Sequence, residues 1–210
     1  MRRVPDDYFD AMYAKSRDPW QLVGRWYEQR KYAMTMAMLP LPRYRHAYEP
    51  GCSVGVLTEL LASRCDHVTA TDVAATALEV TAERLTRGGY SDRVTLDRRS
   101  LDSGWPTDDF DLVVLSEVAY YLDAEVLRTV LDRECPRLVR GATVIAAHWR
   151  HPVEDYPLTG DAANAIVGDT ADLHAVAHYC DDDVVIDVFA KGAAQSVAGR
   201  TGVPGVADQS

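Results

Sequence analysis

The sequence predicts an α/β protein: a mostly parallel central sheet with helices on both faces, preceded by a helical segment. Three observations carry this. Strand and helix signals alternate from residue 45 to about residue 148. The run Asp111-Leu112-Val113-Val114-Leu115 is almost wholly apolar, as a strand covered on both faces should be. Two helical patterns precede the first strand. A chain of 210 residues, 47% apolar and 26% charged, suits one domain, or one domain with a small lid.

The elements follow in order. Phe9, Met12 and Tyr13 form a short helical stripe. Trp20, Val23, Tyr27, Met34 and Met38 fall near one face of a second helix, with Asp18 as the predicted N-cap and Pro19 in the first turn. Pro40 and Pro42 stop it. Residues 46–49 make a first strand, and residues 54–64 a helix with Leu57, Leu60 and Leu61 inward. Residues 68–71 are a second strand. Ala74, Ala77, Leu78 and Leu85 then recur at helical intervals until Gly88-Gly89, where a left-handed backbone is wanted. Residues 94–96 and 111–115 are the third and fourth strands. Val126, Leu127, Val130, Leu131 and Leu138 mark a helix ended by Gly141, and residues 143–147 a fifth strand. A loop bracketed by Pro152 and Pro157, a helix over 161–167 and a strand over 184–189 complete the pattern. Residues 1–42 are thus expected to be a helical lid and residues 43–190 the sheet domain. Residues 191–210, mostly Gly, Ala and Val with few anchors, are expected to be a poorly ordered tail.

Composition narrows the functional classes. With 22 Lys and Arg against 32 Asp and Glu the formal charge is −10, and no basic patch stands out, so no nucleic-acid partner is expected. No apolar run is long enough to span a bilayer, and Met1-Arg2-Arg3-Val4-Pro5-Asp6-Asp7 lacks the apolar core of a signal peptide. The chain reads as cytoplasmic, with no membrane partner. Cys52, Cys65, Cys135 and Cys180 form no C-x-x-C pair and have no histidine at ligand spacing. They read as four reduced core thiols, with no metal site.

The informative segment is Glu49-Pro50-Gly51-Cys52-Ser53-Val54-Gly55, where the first strand turns into the first sheet helix. Glycines there let a backbone approach a ligand, and the carboxyl ends of the strands are where open α/β sheets bind. A dinucleotide fingerprint fails, because positions 53 and 56 are Ser and Val where it wants glycine. Instead, the acid at 49 and the glycines at 51 and 55 resemble the E/D-x-G-x-G-x-G loop of class I S-adenosylmethionine (SAM) methyltransferases, with Ser53 replacing the middle glycine. An acidic loop suits the cationic part of SAM. Asp72, followed by Val73, closes the second strand 17 residues after Gly55, placed either to accept both ribose hydroxyls or to cap the next helix. In the methyltransferase pattern Ser100 would meet the adenine amine, where Asp is more usual, and Leu101 would pack on the ring; a surface turn is the alternative. After the central strand, Ser116-Glu117-Val118-Ala119-Tyr120-Tyr121-Leu122 brings an acid and two tyrosines to the cleft mouth, or else begins a helical turn with a tyrosine in the core.

Taken in order, Asp18-Pro19-Trp20, Tyr27-Glu28, the 49–55 loop, residues 110–115, Ser116-Glu117-Val118 and Tyr120-Tyr121-Leu122 resemble the nodulation-protein-S (NodS-like) SAM methyltransferases over about residues 5–150. The resemblance implies a Rossmann-like class I methyltransferase fold and SAM as cofactor. It also implies N-terminal helices that fold over the cofactor, and an acceptor such as the free amine of a chitooligosaccharide. Trp20 would then lie near SAM, or alternatively anchor the core. The candidate cofactor residues are Trp20, Glu49, Gly51, Gly55, Asp72, Val73, Ser100, Leu101 and Ser116. Glu117 and His148 are the candidates to take a proton from an acceptor amine, since both follow predicted strands on the cleft side. Tyr120, Tyr121 and Asp161 are candidates for a small-molecule methyl acceptor. O-methyl transfer, a methyltransferase-shaped binding protein without turnover, and, last, an NAD oxidoreductase are the competing readings.

Overall fold

The computed structural model describes residues 3–193 and 195–204. Two helices, α1 (Asp6–Lys15) and α2 (Trp26–Met38), precede the sheet. The sheet domain then runs β1 (Tyr44–Pro50), α3 (Val56–Arg64), β2 (Cys65–Asp72), α4 (Ala75–Gly88), β3 (Val94–Arg98), β4 (Leu112–Ser116), α5 (Ala124–Glu134), β5 (Thr143–Trp149) and α6 (Gly160–Gly168). It ends with β6 (Leu173–Cys180), β7 (Val184–Lys191) and the short α7 (Val197–Arg200). The strands form one sheet in the order β3-β2-β1-β4-β5-β7-β6. All neighbours are parallel except β7, which runs antiparallel to both β5 and β6. Strand order reverses between β1 and β4, and the crevice beyond their carboxyl ends is where such sheets bind ligands.

Hydrophobic alternation builds the layers. All five residues of β4 are buried. Val113 and Leu115 point into one cluster, with Leu127 and Leu131 of α5. Leu112 and Val114 point into the opposite one, with Leu57 and Leu61 of α3. Each such side chain, taken fully out of water, contributes about 1.5–3 kcal/mol, so the central strand anchors both faces.

The structure corrects several sequence expectations. Asp18 caps no long helix: its carboxylate accepts from the Leu22 and Val23 amides at 2.8 and 3.1 Å in a loop, and α2 begins only at Trp26. Leu60 is exposed, because the buried face of that helix is Leu57, Thr58, Leu61 and Ala62. The helix expected to run to Gly141 stops at Glu134, and Cys135–Arg137 tighten into a 3-10 turn containing Pro136, which cannot continue an α-helix. Strand β6 was not foreseen, and Cys180 at its end is exposed, so only Cys52, Cys65 and Cys135 are buried thiols. Within the expected tail, residues 197–200 are helical; residues 205–210 lie outside the described residues. No described helix is long and apolar enough to cross a membrane.

The turn from β1 to α3 is the local device that shapes the crevice. Gly51, Ser53 and Gly55 all have left-handed backbones, with φ of 72°, 51° and 73°. A side chain at Gly55 would place its Cβ 2.6 Å from Thr81 Cγ2, so this position needs glycine for its dihedral and for packing. Replacing Gly55 with Ala is therefore expected to lower stability by about 1–3 kcal/mol from backbone strain, and further from the clash with Thr81. Urea unfolding of the variant against wild type measures it.

Candidate active site

A cavity of about 330 Å³ opens at the carboxyl ends of the parallel strands and is closed on the other side by the N-terminal segment. That segment is tied to the sheet domain. Arg3 forms an antiparallel bridge with Leu122, the Val4 amide donates to the Tyr121 carbonyl at 2.9 Å, and the Arg3 guanidinium reaches Ser100 Oγ at 3.1 Å. Farther along, the Tyr13 hydroxyl meets Ser53 Oγ at 2.5 Å, and Trp20 packs edge-on against the Tyr13 ring.

The β1 end supplies Glu49, Gly51 and Ser53 to the wall. Glu49 is 3% exposed, and its Oε2 is buried with no hydrogen-bond partner. Burial, reinforced by the nearby Asp72 charge, pushes its carboxyl up to about 8 despite the Thr58 hydroxyl. Asp72 and Val73 line the same region. One Asp72 oxygen accepts from the Ser53 amide and the other from the Ala74 amide, both at 2.9 Å. Burial raises Asp72 to about 6 even though backbone amides favour its ionised form. Both readings of Asp72 thus coexist: it holds the turn into α4, and a carboxylate keeps acceptor sites beyond those two bonds.

These features fit SAM better than a dinucleotide. The amides of Gly51 and Cys52 donate to the Thr71 carbonyl, that of Ser53 to Asp72, and that of Gly55 to the Cys52 carbonyl. Those donors are used inside the protein and do not form a phosphate cradle. An orphaned buried carboxylate instead wants a cationic donor, which the ammonium group of SAM provides.

Ser100 and Leu101 also line the cavity. Ser100 Oγ accepts from Arg3 and donates to Asp102, so Asp102, two residues on, holds the hydroxyl in place. At the β4 end lie Ser116 and Glu117, then Tyr120 and Tyr121. Tyr120 stacks on Tyr156 at 5.0 Å, and Tyr121 meets Phe9 of α1 edge-on at 4.9 Å.

Glu117 sits where the sequence predicts, but its surroundings contradict a role as proton acceptor. Its Oε1 is 2.6 Å from Lys31 Nζ; its Oε2 accepts from the Tyr120 hydroxyl at 2.6 Å and from the Trp149 amide at 3.0 Å. Burial alone would raise its carboxyl, yet the Lys31 charge and the Lys31 and Tyr120 hydrogen bonds outweigh it and hold Glu117 below the usual carboxylate range. His148 is corrected outright. It is wholly buried and not part of the cavity wall. Its Nε2 accepts from the Ala119 amide at 3.1 Å, which leaves Nδ1 to donate to Asn164 Oδ1 at 2.7 Å. Burial depresses its pKa, so it is a neutral strut between β5 and α6. Asp161 is corrected too: its exposed carboxylate pairs with Arg150 at 3.0 Å, away from the cavity. Gly55 shapes the loop without lining the cavity.

The family model of Nodulation protein S (NodS) matches residues 10–153. This chain belongs to the NodS family. NodS-family relatives include nodulation protein S of Bradyrhizobium diazoefficiens, 38% identical over 109 residues, covering 50% of this chain and 49% of that protein. Nodulation protein S of Rhizobium tropici is 35% identical over 106 residues, 50% of this chain and 43% of the other. The chain thus spans about half the length of the curated relatives it matches. A crystallised Pseudomonas syringae protein, assigned provisionally to the methyltransferases, is 36% identical with a TM-score of 0.67, covering 79% of this chain and 99% of that one. The N-methyltransferase NodS of Bradyrhizobium japonicum WM9, crystallised with S-adenosyl-L-homocysteine, shares the fold at a TM-score of 0.78 and 23% identity, over 88% of this chain and 97% of the other. The architecture expected of a class I methyltransferase is therefore the one observed.

Sequence reading missed Lys31, Tyr27, Tyr13 and Trp149, all of which line the cavity. Three of them lie in the N-terminal segment, where helical spacing predicts which residues share a face but not what that face covers. A weak signal existed for Lys31, one of only three lysines in a chain otherwise using arginine.

Glu49 makes a pH prediction. Its carboxyl lies near 8 in the folded chain against 4.5 as the reference. The folded state therefore keeps a proton that the unfolded state releases, and stability falls as pH rises through that window, with a limiting slope of about 1.4 kcal/mol per pH unit. Urea unfolding at pH 5, 6.5 and 8 should show this slope reduced in Glu49→Gln.

Proposed function

We propose that this NodS-family chain is a SAM-dependent methyltransferase whose acceptor is a small-molecule amine. The observation that carries the choice of nitrogen is the cluster at the β4 end of the cavity. There Glu28 and Glu117 share a single Lys31, at 2.7 and 2.6 Å, leaving one formal negative charge. The rings of Tyr27 and Trp149 meet edge-on beside it, and Tyr120 donates into it. A cationic acceptor is favoured by such a charge and by aromatic faces, while a phenolate or carboxylate acceptor would be repelled.

For the cofactor, Glu49 would hold the ammonium group and Asp72 the ribose hydroxyls. Ser100 and Leu101 would border the adenine, with Gly51 allowing close backbone approach, and Val73, Ser116 and Trp20 would complete the wall. The bound cofactor supplies a methyl group already activated by its sulfonium, so the protein's part is alignment and exclusion of water. The N-terminal segment, latched by Arg3, Val4 and Tyr13, serves as the lid that excludes water. The solved structure described as the N-methyltransferase NodS supports nitrogen, and an amino sugar is the acceptor class the sequence resemblance suggests.

Two measurements test this reading. Asp72→Asn keeps the side chain's shape, and calorimetric titration with S-adenosylhomocysteine should show affinity falling about 10- to 100-fold, the loss of a charge-assisted hydrogen bond of about 1.5–3 kcal/mol. Methyl transfer from labelled SAM, assayed against amines, deacetylated chitooligosaccharides, phenols and carboxylic acids, should label the amines. Preference for phenols would convert the assignment to oxygen, and binding with no turnover on any acceptor would leave a binding protein.

A further inference from the structure

Lys31 is 1% exposed yet borders the cavity. Besides the two carboxylates, it lies 5.3 Å from the ring centres of both Tyr27 and Tyr32. Glu117, its partner across the cavity floor, has a left-handed backbone at φ 53°, an uncommon conformation for a residue with a side chain. Its amide is pinned to the Ala147 carbonyl of β5 at 2.9 Å. Three elements thus hold one carboxylate: α2 through Lys31, the turn after β4 through Tyr120, and β5 through the Trp149 amide. Strain of this kind persists only where surrounding structure over-determines it.

We propose that Lys31 is a positioning residue acting through Glu117: gripped by Glu28 and Glu117 together, it fixes the Glu117 carboxylate as a permanent anion facing the cavity. The site then recognises the acceptor as an ammonium ion, and the proton is released to water and not to the protein. This rests on the amine reading above. The acceptor ammonium gives one proton to solvent at the cavity mouth, before its nitrogen is enclosed against the methyl group. Its freed lone pair forms the nitrogen–carbon bond as the carbon–sulfur pair returns to sulfur, leaving a neutral thioether and a methylated ammonium. The groups facing Glu117 agree with the assignment. They are Lys31, Glu28, Tyr27 and Tyr32 from α2, Tyr120 and Tyr121 from its own turn, Tyr156 from the loop after β5, and the neutral His148. Burial pushes all of these tyrosines upward, so none takes up a proton in place of Glu117.

The test is a carbon-13 NMR titration of the full chain labelled at glutamate carboxyls, with Glu117→Gln identifying the resonance. Wild-type Glu117 should remain a carboxylate down to about pH 5. In Lys31→Met its midpoint should rise, because burial is then opposed only by the Tyr120 and Trp149 hydrogen bonds, while Lys31→Arg should follow wild type. A Lys31→Met midpoint equal to wild type overturns the proposal, as does a wild-type Glu117 that titrates near neutrality. Should Lys31→Met fail to fold, the wild-type titration still decides, together with kinetics on two amines of different basicity. The break in log kcat/KM against pH should move with the amine. A break that stays at one pH for both amines reveals a protein-borne base and overturns the proposal. Failure of the amine reading shows separately, as methylation of phenols in place of amines, and leaves the Glu117 titration to judge Lys31.

Discussion

The hydrogen bond from the Ser53 amide to Asp72 joins the loop after β1 to the end of β2, and the architecture of the cavity depends on it. Of the three left-handed residues in this turn, Gly51 and Gly55 adopt that region freely, but Ser53 carries a side chain that disfavours it and must be held there. Here the turn is closed on both sides. The Thr71 carbonyl takes the Gly51 and Cys52 amides, Asp72 takes that of Ser53, and the Thr81 hydroxyl donates to the Ser53 carbonyl at 2.8 Å. The Tyr13 hydroxyl then ties α1 to Ser53. One short loop thereby fixes the spacing of β1 and β2, the entry of α3 and the seat of the N-terminal segment.

The cavity also shows how one physical force, desolvation, gives opposite results in neighbouring carboxylates. Glu49 and Asp72 are buried and Glu117 is half-buried at the cavity wall, and all three lose solvation. Glu49 has an oxygen with no partner and is driven toward its neutral form. Asp72, bonded by backbone amides, is raised less. Glu117, facing an ammonium group, is held ionised. Burial sets the cost of a charge, and the partners decide whether that cost is met. An arrangement of one carboxylate lacking a cation and another supplied with one divides the cavity into an end that receives charge and an end that already carries it.

Much of the fold was legible because its signals are local. The apolar run at residues 111–115 marked the strand that anchors both clusters, and Gly88-Gly89 marked the end of α4, where Gly89 has φ 74°. The loop of residues 49–55 was legible because left-handed positions demand particular residues, and Ser53 shows that the demand is for conformation, since serine meets it at φ 51°. Strand β6 was not legible. It is an edge strand interrupted by a bulge between Ala175 and Ala177, so its burial never alternates cleanly. The extent of the helix before β5 was misjudged because apolar spacing continues through Leu138 after the backbone has left the helix.

By itself, then, the sequence determined the layering of the sheet domain, the shape of the β1 loop and the acids at 49, 72 and 117, because periodicity, backbone dihedrals and strand ends are properties of neighbouring residues. Tertiary structure alone decided what those acids do. Lys31 is 86 positions from Glu117, and only the packing of α2 against the end of β4 brings them to 2.6 Å. In the same way His148 was a candidate base until the fold placed Ala119 and Asn164 on its two nitrogens. Charge state and proton affinity depend on solvent exclusion and on partners distant in the chain, and no local pattern records either.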